Sequence, residues 1–393
     1  MKKLKYTAAF LLSVVLLLSA LTGCGNSAAS PSAEEDVTLK LAGIAKDTTL
    51  FTVDGVPVSA ENFLFWVAQS ADYVVSYYQN MGQEMDWETQ LAGEAPADYI
   101  KNDAMSTAKL YQVVANHADE MGLTLTDEDK TDYEAGMTEL VSQLGSEDNY
   151  KLWLSRLPLS RAEMDKLNQV SYLYTHIQDK LYGEGSEKAP TDETMDTYIA
   201  DNHLVQTKHI ILLTIDPTTG AALDDKTIAE KKKQIDDLLS QIKKSDDPTA
   251  TFDTLMNKYS EDTGLSSNPD GYVYDSENNN YVAEFVDGTL ALDYGEISDV
   301  VKSSMGYHIL MRVDPDSESL REQYVSDQMN TLIQGWLDDA EVKTTDAYDK
   351  LDIQAYYTAL IAHQAEVDAV MKAAESAAPQ ESSIPEESAS PTK

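Results

Sequence analysis

Two runs of this chain begin alike: KHIILLT, from Lys208 to Thr214, and YHILMRV, from Tyr307 to Val313. Each sets a histidine before an isoleucine and an alternating apolar tail, which reads as a β-strand. Between them lie a loop at Asp216-Pro217-Thr218-Thr219-Gly220 and a helix with Ile228, Ile235, Leu238, Leu239 and Ile242 along one stripe. The other face of that helix carries Lys231, Lys232 and Lys233; a shorter helix with Phe252, Leu255, Met256 and Tyr259 follows. A long loop, SEDTGLSSNPDGY, leads to short segments and then the second strand. Residues 203–315 are therefore expected to form a compact α+β unit whose first and last strands carry histidines.

On both sides of this unit the periodicity is helical. Asp54-Gly55 sits between Thr52-Val53 and Val56-Pro57-Val58, a tight-turn signal. Ser59 then reads as an N-cap for an aromatic-rich helix, with Phe63, Trp66, Val67, Ser70, Val74 and Tyr77 near one face. Further helices are expected from Pro96 to Met121, from Thr126 to about Gly145, and from a capping box at Ser160-x-x-Glu163 to Tyr182. A short helix in PTDETMDTYIADN comes last. Beyond Pro315 the apolar stripes of Leu320 to Leu337 and Tyr356 to Val370 are helical again. The fold class that follows is α+β: a small mixed domain, an antiparallel sheet with helices, inserted into a mainly helical domain made of residues 48–202 and 316–375. Phe63, Phe65, Trp66, Tyr73, Tyr77 and Tyr78 crowd the first helix more than one buried stripe can hide, so some should line an open groove.

The 393 residues suit two domains plus tails. With 68 acidic and 29 basic residues, the net charge of −39 repels phosphate backbones and argues against nucleic-acid binding. Cys24 is the single cysteine, which excludes an intrachain disulfide and a cysteine-built metal site. Lys2, Lys3 and Lys5 precede an apolar stretch, Ala8 to Leu21, that is short for a membrane span and has the form of an export signal. LTGC, Leu21 to Cys24, resembles the bacterial lipobox, which implies removal of residues 1–23 and lipidation of Cys24. Residues 24–47 then read as a lipidated start and flexible spacer, and residues 376–393 have the composition of a disordered tail. The implied location is the outer face of the bacterial cell membrane.

The histidine pair admits three readings. A metal site needs three or four ligands, and neither histidine lies in an HxH or HExxH spacing. A nucleophilic triad needs an activated Ser or Cys; no GxSxG surrounds any serine, and Cys24 is at the membrane. The third reading makes both histidines core residues on neighbouring strands, bonded to one another or to a hydroxyl. A neutral imidazole donates with one nitrogen and accepts with the other, so a facing pair would form a rigid polar bridge under a pocket. The second and third readings call for no cofactor, and none is expected.

The segment Lys208 to Val313 resembles the parvulin family of peptidyl-prolyl isomerases. The matching pieces are KHIIL, FDTLMNKYSED and YVAEFVDGTLALDYGEISDVVKSSMGYHILMR, about a quarter of the chain. With the lipobox and the helical flanks, the chain resembles the PrsA-type lipoprotein foldases, and TVDGVPVSAENF is similar to the start of SurA-like domains. The resemblance implies that His209 and His308 are the dual histidines of an isomerase floor. It places Asp262 where relatives have Cys or Asp, and Ser303 where a hydroxyl supports the histidines. Phe285 would pack on the proline ring from an open cleft, with Tyr281 and Met305 as further substrate contacts. Three positions depart from the family pattern: NPDGY (Asn268 to Tyr272) stands for a glycine-richer loop, Val282 for a hydrogen-bonding residue, and Met305 for a small one. The implied partners are unfolded exported proteins with X-Pro segments, and the membrane through the lipid anchor. Homodimerisation through the helical domain, the protonation state of Asp262, and a non-catalytic holdase in place of an isomerase are left open.

Overall fold

The computed structural model of the protein describes residues 36–377. Residues 1–35, with the signal-like stretch and Cys24, and residues 378–393 of the tail lie outside the described residues. The chain divides into two units, one from the segments up to Ser186 and from Met329 onward, the other from Glu187–Gln328.

The first unit starts inside the stretch expected to be a flexible spacer, and this is a correction. Asp36 accepts hydrogen bonds from the backbone N–H groups of Leu39 (2.9 Å) and Lys46 (3.0 Å). It thereby caps α1 (Val37–Ala42), whose Val37 and Thr38 are buried. Apolar residues next to a capable N-cap made this segment part of the packed structure.

Strands β1 (Thr49–Val53) and β2 (Val56–Ser59) form an antiparallel hairpin through Asp54 (φ 51°) and Gly55 (φ 82°). Two successive positive φ values suit the right-handed twist of the strands. Four long helices follow, α2 (Ala60–Asn80), α3 (Pro96–Glu120), α4 (Asp127–Leu144) and α6 (Arg161–Tyr182). A shorter helix, α5 (Glu147–Arg156), lies between the helices expected to end near Gly145 and to begin at Ser160. Phe63, Phe65 and Trp66 of α2 are buried, whereas Tyr73 is 68% and Tyr77 46% exposed. The capping box expected at Ser160 is half built. Ser160 Oγ accepts from Glu163 N–H, but the N–H of Ser160 is taken by Glu61 of α2 (2.9 Å), while Glu163 turns to Asn62 and Lys166.

The second unit holds α7 (Asp192–Asp201), β3 (Leu204–Leu213), α8 (Asp225–Lys244), α9 (Pro248–Tyr259), β4 (Tyr272–Asp275), α10 (Ala283–Leu290), β5 (Val301–Lys302) and β6 (Gly306–Val313). Its four strands form one antiparallel sheet in the order β4-β3-β6-β5. Ile210 and Leu212 of β3, with Tyr307, Ile309 and Met311 of β6, pack on Ile235, Leu238, Phe252 and Met256 of α8 and α9. The opposite face carries Val205 and Leu310 against Tyr274, Phe285 and Val286. With side chains alternating along each strand, His209 and His308 fall on this second face, the one under α10.

Helix α11 (Glu318–Asp339) carries the chain back into the first unit, where β7 (Val342–Thr344), α12 (Asp346–Asp349) and α13 (Ile353–Ala377) complete it. Strand β7 pairs with β1, with Phe51 opposite Thr344. Tyr348 closes an aromatic cluster with Phe51 and Phe63, at centroid distances of 6.0 and 5.3 Å. Helix α13 runs to Ala377, two residues into the expected tail.

Candidate active site

Strands β3 and β6 pair from Gln206↔Val313 to Leu213↔Gly306. In that register His209 faces Leu310, and His308 faces Ile211. The histidines are therefore diagonal neighbours on one face of the two central strands, close enough for large side chains to meet. Their ring centroids lie 5.7 Å apart. Gly306 permits the close pairing at the strand end, because a Cβ there would overlap the Leu212 carbonyl oxygen.

Each histidine has its own anchor. His308 Nε2 lies 2.8 Å from Ser303 Oγ, and that oxygen also accepts from the N–H groups of Met305 (3.1 Å) and Gly306 (3.4 Å). With both lone pairs of Ser303 taken, its hydroxyl proton points to His308 Nε2, which leaves the His308 proton on Nδ1. Burial, and secondarily the nearby His209, lower the His308 pKa to about 4, so the ring is neutral at pH 7. His209 Nε2 lies 3.1 Å from Asp262 Oδ2. An ionised carboxylate only accepts, so Nε2 carries the proton, and the Nδ1 of a neutral His209 is an acceptor. Both Nδ1 atoms are buried without a hydrogen-bond partner. The assignment makes them complementary, a donor on His308 and an acceptor on His209.

Asp262 is placed by the loop after α9. Glu261 N–H donates to the Ile211 carbonyl (2.9 Å) and Ser260 Oγ accepts from Ile211 N–H (3.2 Å), which docks the loop on β3. Beside His209, Asp262 also accepts from the Tyr272 hydroxyl (2.6 Å) and from Gly264 N–H (2.9 Å). Burial would raise its pKa, but the hydrogen bonds from His209, Tyr272 and Gly264 outweigh that and hold it at about 2. Asp262 is thus a carboxylate at neutral pH.

Above the histidines stands an aromatic wall. Phe285 is T-shaped to His209 (5.2 Å) and to His308 (5.9 Å), and Tyr281 lies over Phe285 at 5.3 Å with a 32° tilt. Phe285 is 2% exposed, so the expectation that it faces an open cleft is corrected: Tyr281, 42% exposed, and Met305, 39% exposed, present the accessible surface. Val282 is the N-cap of α10 and packs partly buried against the Phe285 cluster. In the NPDGY loop, Gly271 has φ +95° and a Cβ there would lie 2.6 Å from the Thr207 carbonyl, so the one glycine retained is at a position whose backbone requires it.

Tyr272 and Tyr274 join the site without belonging to the motif pieces that mark it in the sequence. They stand opposite Thr207 and Val205, on the face that bears His209, and the alternation in YVYD was the available signal. Beneath the wall, Thr207 Oγ1 bonds to Tyr274 Oη (3.1 Å) and Thr289 Oγ1 (3.0 Å), all within the buried layer. Among the described residues, no group of three or more His, Cys, Asp or Glu is arranged to hold a metal ion. A cavity of about 460 Å³ lies in the first unit, lined in part by Lys46, Glu61, Lys151 and Arg161. It contains none of the histidine, aspartate and aromatic residues assembled on β3, β4, β6 and α10, and volume alone supplies no chemistry.

Residues 209–314 match the family model described as the PPIC-type PPIASE domain. Among curated proteins, the foldase protein PrsA of Staphylococcus aureus (strain MRSA252) is 28% identical over 199 residues, 49% of this chain and 56% of that protein. Foldase protein PrsA 3 of Bacillus cereus is 34% identical over 91 residues, 23% of this chain and 28% of that protein. The chain thus spans about half or less of the length of these relatives. Among solved structures, a peptidylprolyl isomerase (PrsA) from Bacillus cereus is 19% identical, with 76% of this chain and 94% of that one covered and a TM-score of 0.24. PrsA from Bacillus subtilis is 18% identical, at 73% and 89% coverage and a TM-score of 0.23. Residues 209–314, which carry both histidines and the aromatic wall, are a PPIC-type rotamase domain in a chain related to the PrsA foldases.

Proposed function

We propose that this protein is a membrane-anchored extracytoplasmic foldase that catalyses cis–trans isomerisation of X-Pro bonds in exported proteins. The observation that carries the reading is the paired-histidine floor, anchored by Ser303 and Asp262 and roofed by Phe285 and Tyr281. Rotation about an X-Pro bond is opposed by a barrier of ~18–20 kcal/mol from amide resonance, and no covalent chemistry is needed to lower it. A slot that holds the proline ring and favours the twisted amide over both planar isomers suffices. Tyr281 and Met305 take the ring against the edge of the Phe285 layer. His209 and His308 form a floor held rigid by their anchors, Asp262 and Ser303, beneath the twisting amide. The Asp262 carboxylate, which would repel the substrate carbonyl, has its oxygens engaged by His209, Tyr272 and the Gly264 amide. It acts through His209 and not on the carbonyl.

In the first unit, the exposed end of α2 with Tyr73 and Tyr77 holds unfolded client segments, bringing their prolines to the tethered rotamase at raised effective concentration. Cys24 supplies the lipid anchor, and the first unit is where two copies would associate. The test is NMR exchange spectroscopy of an X-Pro peptide panel with the full chain. Cis–trans exchange should quicken on catalytic addition of protein and fall with Tyr281→Ala. No acceleration for any peptide, with client binding retained, would leave a holdase in place of an isomerase.

A further inference from the structure

Tyr272 reaches the site from β4, and the family resemblance assigns it no role. Its hydroxyl donates to Asp262 Oδ2 at 2.6 Å, the same oxygen that takes His209 Nε2–H at 3.1 Å. Its ring stands edge-on to His209 at 5.8 Å and to Tyr281 at 6.1 Å. Gly264 is fitted to it: a Cβ at that position would overlap the Tyr272 hydroxyl, while the Gly264 N–H binds the other oxygen of Asp262. Tyr272, Gly264 and Asp262 thus form one unit around a single carboxylate. We propose that Tyr272 is a positioning residue of the isomerase: its hydroxyl holds the Asp262 carboxylate aimed at His209, and so fixes the proton on His209 Nε2 and the angle of the ring. The inference rests on the isomerase reading above.

The titratable groups that face Asp262 are few. His209 approaches from β3, Tyr272 from β4 and Tyr281 from the segment before α10, with His308 of β6 behind His209. The neighbouring Glu261 is engaged elsewhere, by Lys231 and the N–H of Leu213. Burial and the Asp262 carboxylate raise the Tyr272 pKa, so the phenol keeps its proton and stays a donor. If that donor is removed, the burial of Asp262 persists with one compensating hydrogen bond fewer, and its pKa rises toward the usual carboxylate range. Asp262 remains a carboxylate at neutral pH, but with one anchor fewer its Oδ2 is no longer fixed against His209 Nε2, so the imidazole loses the partner that sets its tautomer and ring angle.

The experiment measures kcat/KM by NMR exchange on an Ala-Pro peptide for the full-length wild type, Tyr272→Phe, Asp262→Ala and the double variant, with melting temperatures alongside. The ¹³C titration of the Asp262 carboxyl is followed in the wild type, Tyr272→Phe and Gly264→Ala. Tyr272→Phe should lower kcat/KM about fivefold to tenfold in the wild-type background, the size of one ordinary net hydrogen bond, because His209 and the Gly264 amide still hold Asp262. In the Asp262→Ala background its effect should be within about twofold, because the hydroxyl has nothing left to hold. The Asp262 midpoint should rise by roughly one to two pH units in Tyr272→Phe. It should rise as well in Gly264→Ala, which displaces the hydroxyl without removing it. Equal losses in both backgrounds, or an unmoved Asp262 midpoint, would overturn the inference while leaving the isomerase reading intact. A wild type that accelerates no exchange would overturn both.

Discussion

Phe285→Ala separates a packing role from a binding role at this site. Phe285 is 2% exposed and touches four rings: His209, His308, Tyr274 and Tyr281, at centroid distances from 5.2 to 5.9 Å. Truncating a fully buried aromatic costs about 3–5 kcal/mol in lost transfer energy and residual cavity. In a unit spanning Glu187–Gln328, that should lower the melting temperature by on the order of 10–20 °C. Trp66, Trp87, Trp153 and Trp336 all belong to the first unit, so far-UV circular dichroism should register an early transition that tryptophan fluorescence registers weakly. Tyr281→Ala is the comparison. That ring is 42% exposed, so its loss should cost less than about 1 kcal/mol of stability while reducing isomerisation more than tenfold. A Phe285→Ala protein that melts within two or three degrees of wild type would refute the packing argument and return Phe285 to the substrate.

The pH dependence of stability has a defined sign. His308 has a folded pKa of about 4 against 6.5 unfolded, so its contribution is intact above pH 6.5 and is lost as the pH falls toward 4, by on the order of 3 kcal/mol. Denaturant titrations of the second unit at pH 7 and pH 4.5 should show that slope, and His308→Asn should flatten it; an unchanged slope would exclude His308 as its source. For client holding, Tyr73→Ser with Tyr77→Ser should weaken suppression of aggregation of an unfolded exported protein severalfold without moving the melting temperature, since both rings are exposed. Undiminished suppression would place the client surface elsewhere. Cys24→Ala should leave unprocessed precursor or release protein from the membrane fraction, and normal processing with intact lipid labelling would rule the anchor out.

Local chemistry was readable from the chain alone wherever neighbours in sequence settle the outcome. Asp54-Gly55 specified a hairpin, because two consecutive positive φ values suit that pair. Ser59 and Thr126 specified helix starts, because a side-chain oxygen three residues before an N–H caps it wherever the helix lies. The two histidine-bearing strands were legible for the same reason, as was the mixed character of the segment between them. Partnerships across long stretches of chain were not. Nothing near Val342 announces that it joins the sheet of Val53, and nothing near Ser160 shows that Glu61 takes its N–H. At the site, period-2 alternation put His209 on a face, but only the β3–β6 register set it diagonally to His308. Only the packing of α10 sank Phe285 beneath Tyr281, and only the return of β4 brought Tyr272 to Asp262. The reason is physical: dihedral preferences and caps act over one to four residues, whereas burial and pairing depend on which distant surfaces cover one another. The sequence limits those choices through its apolar pattern, and the assembled fold makes them.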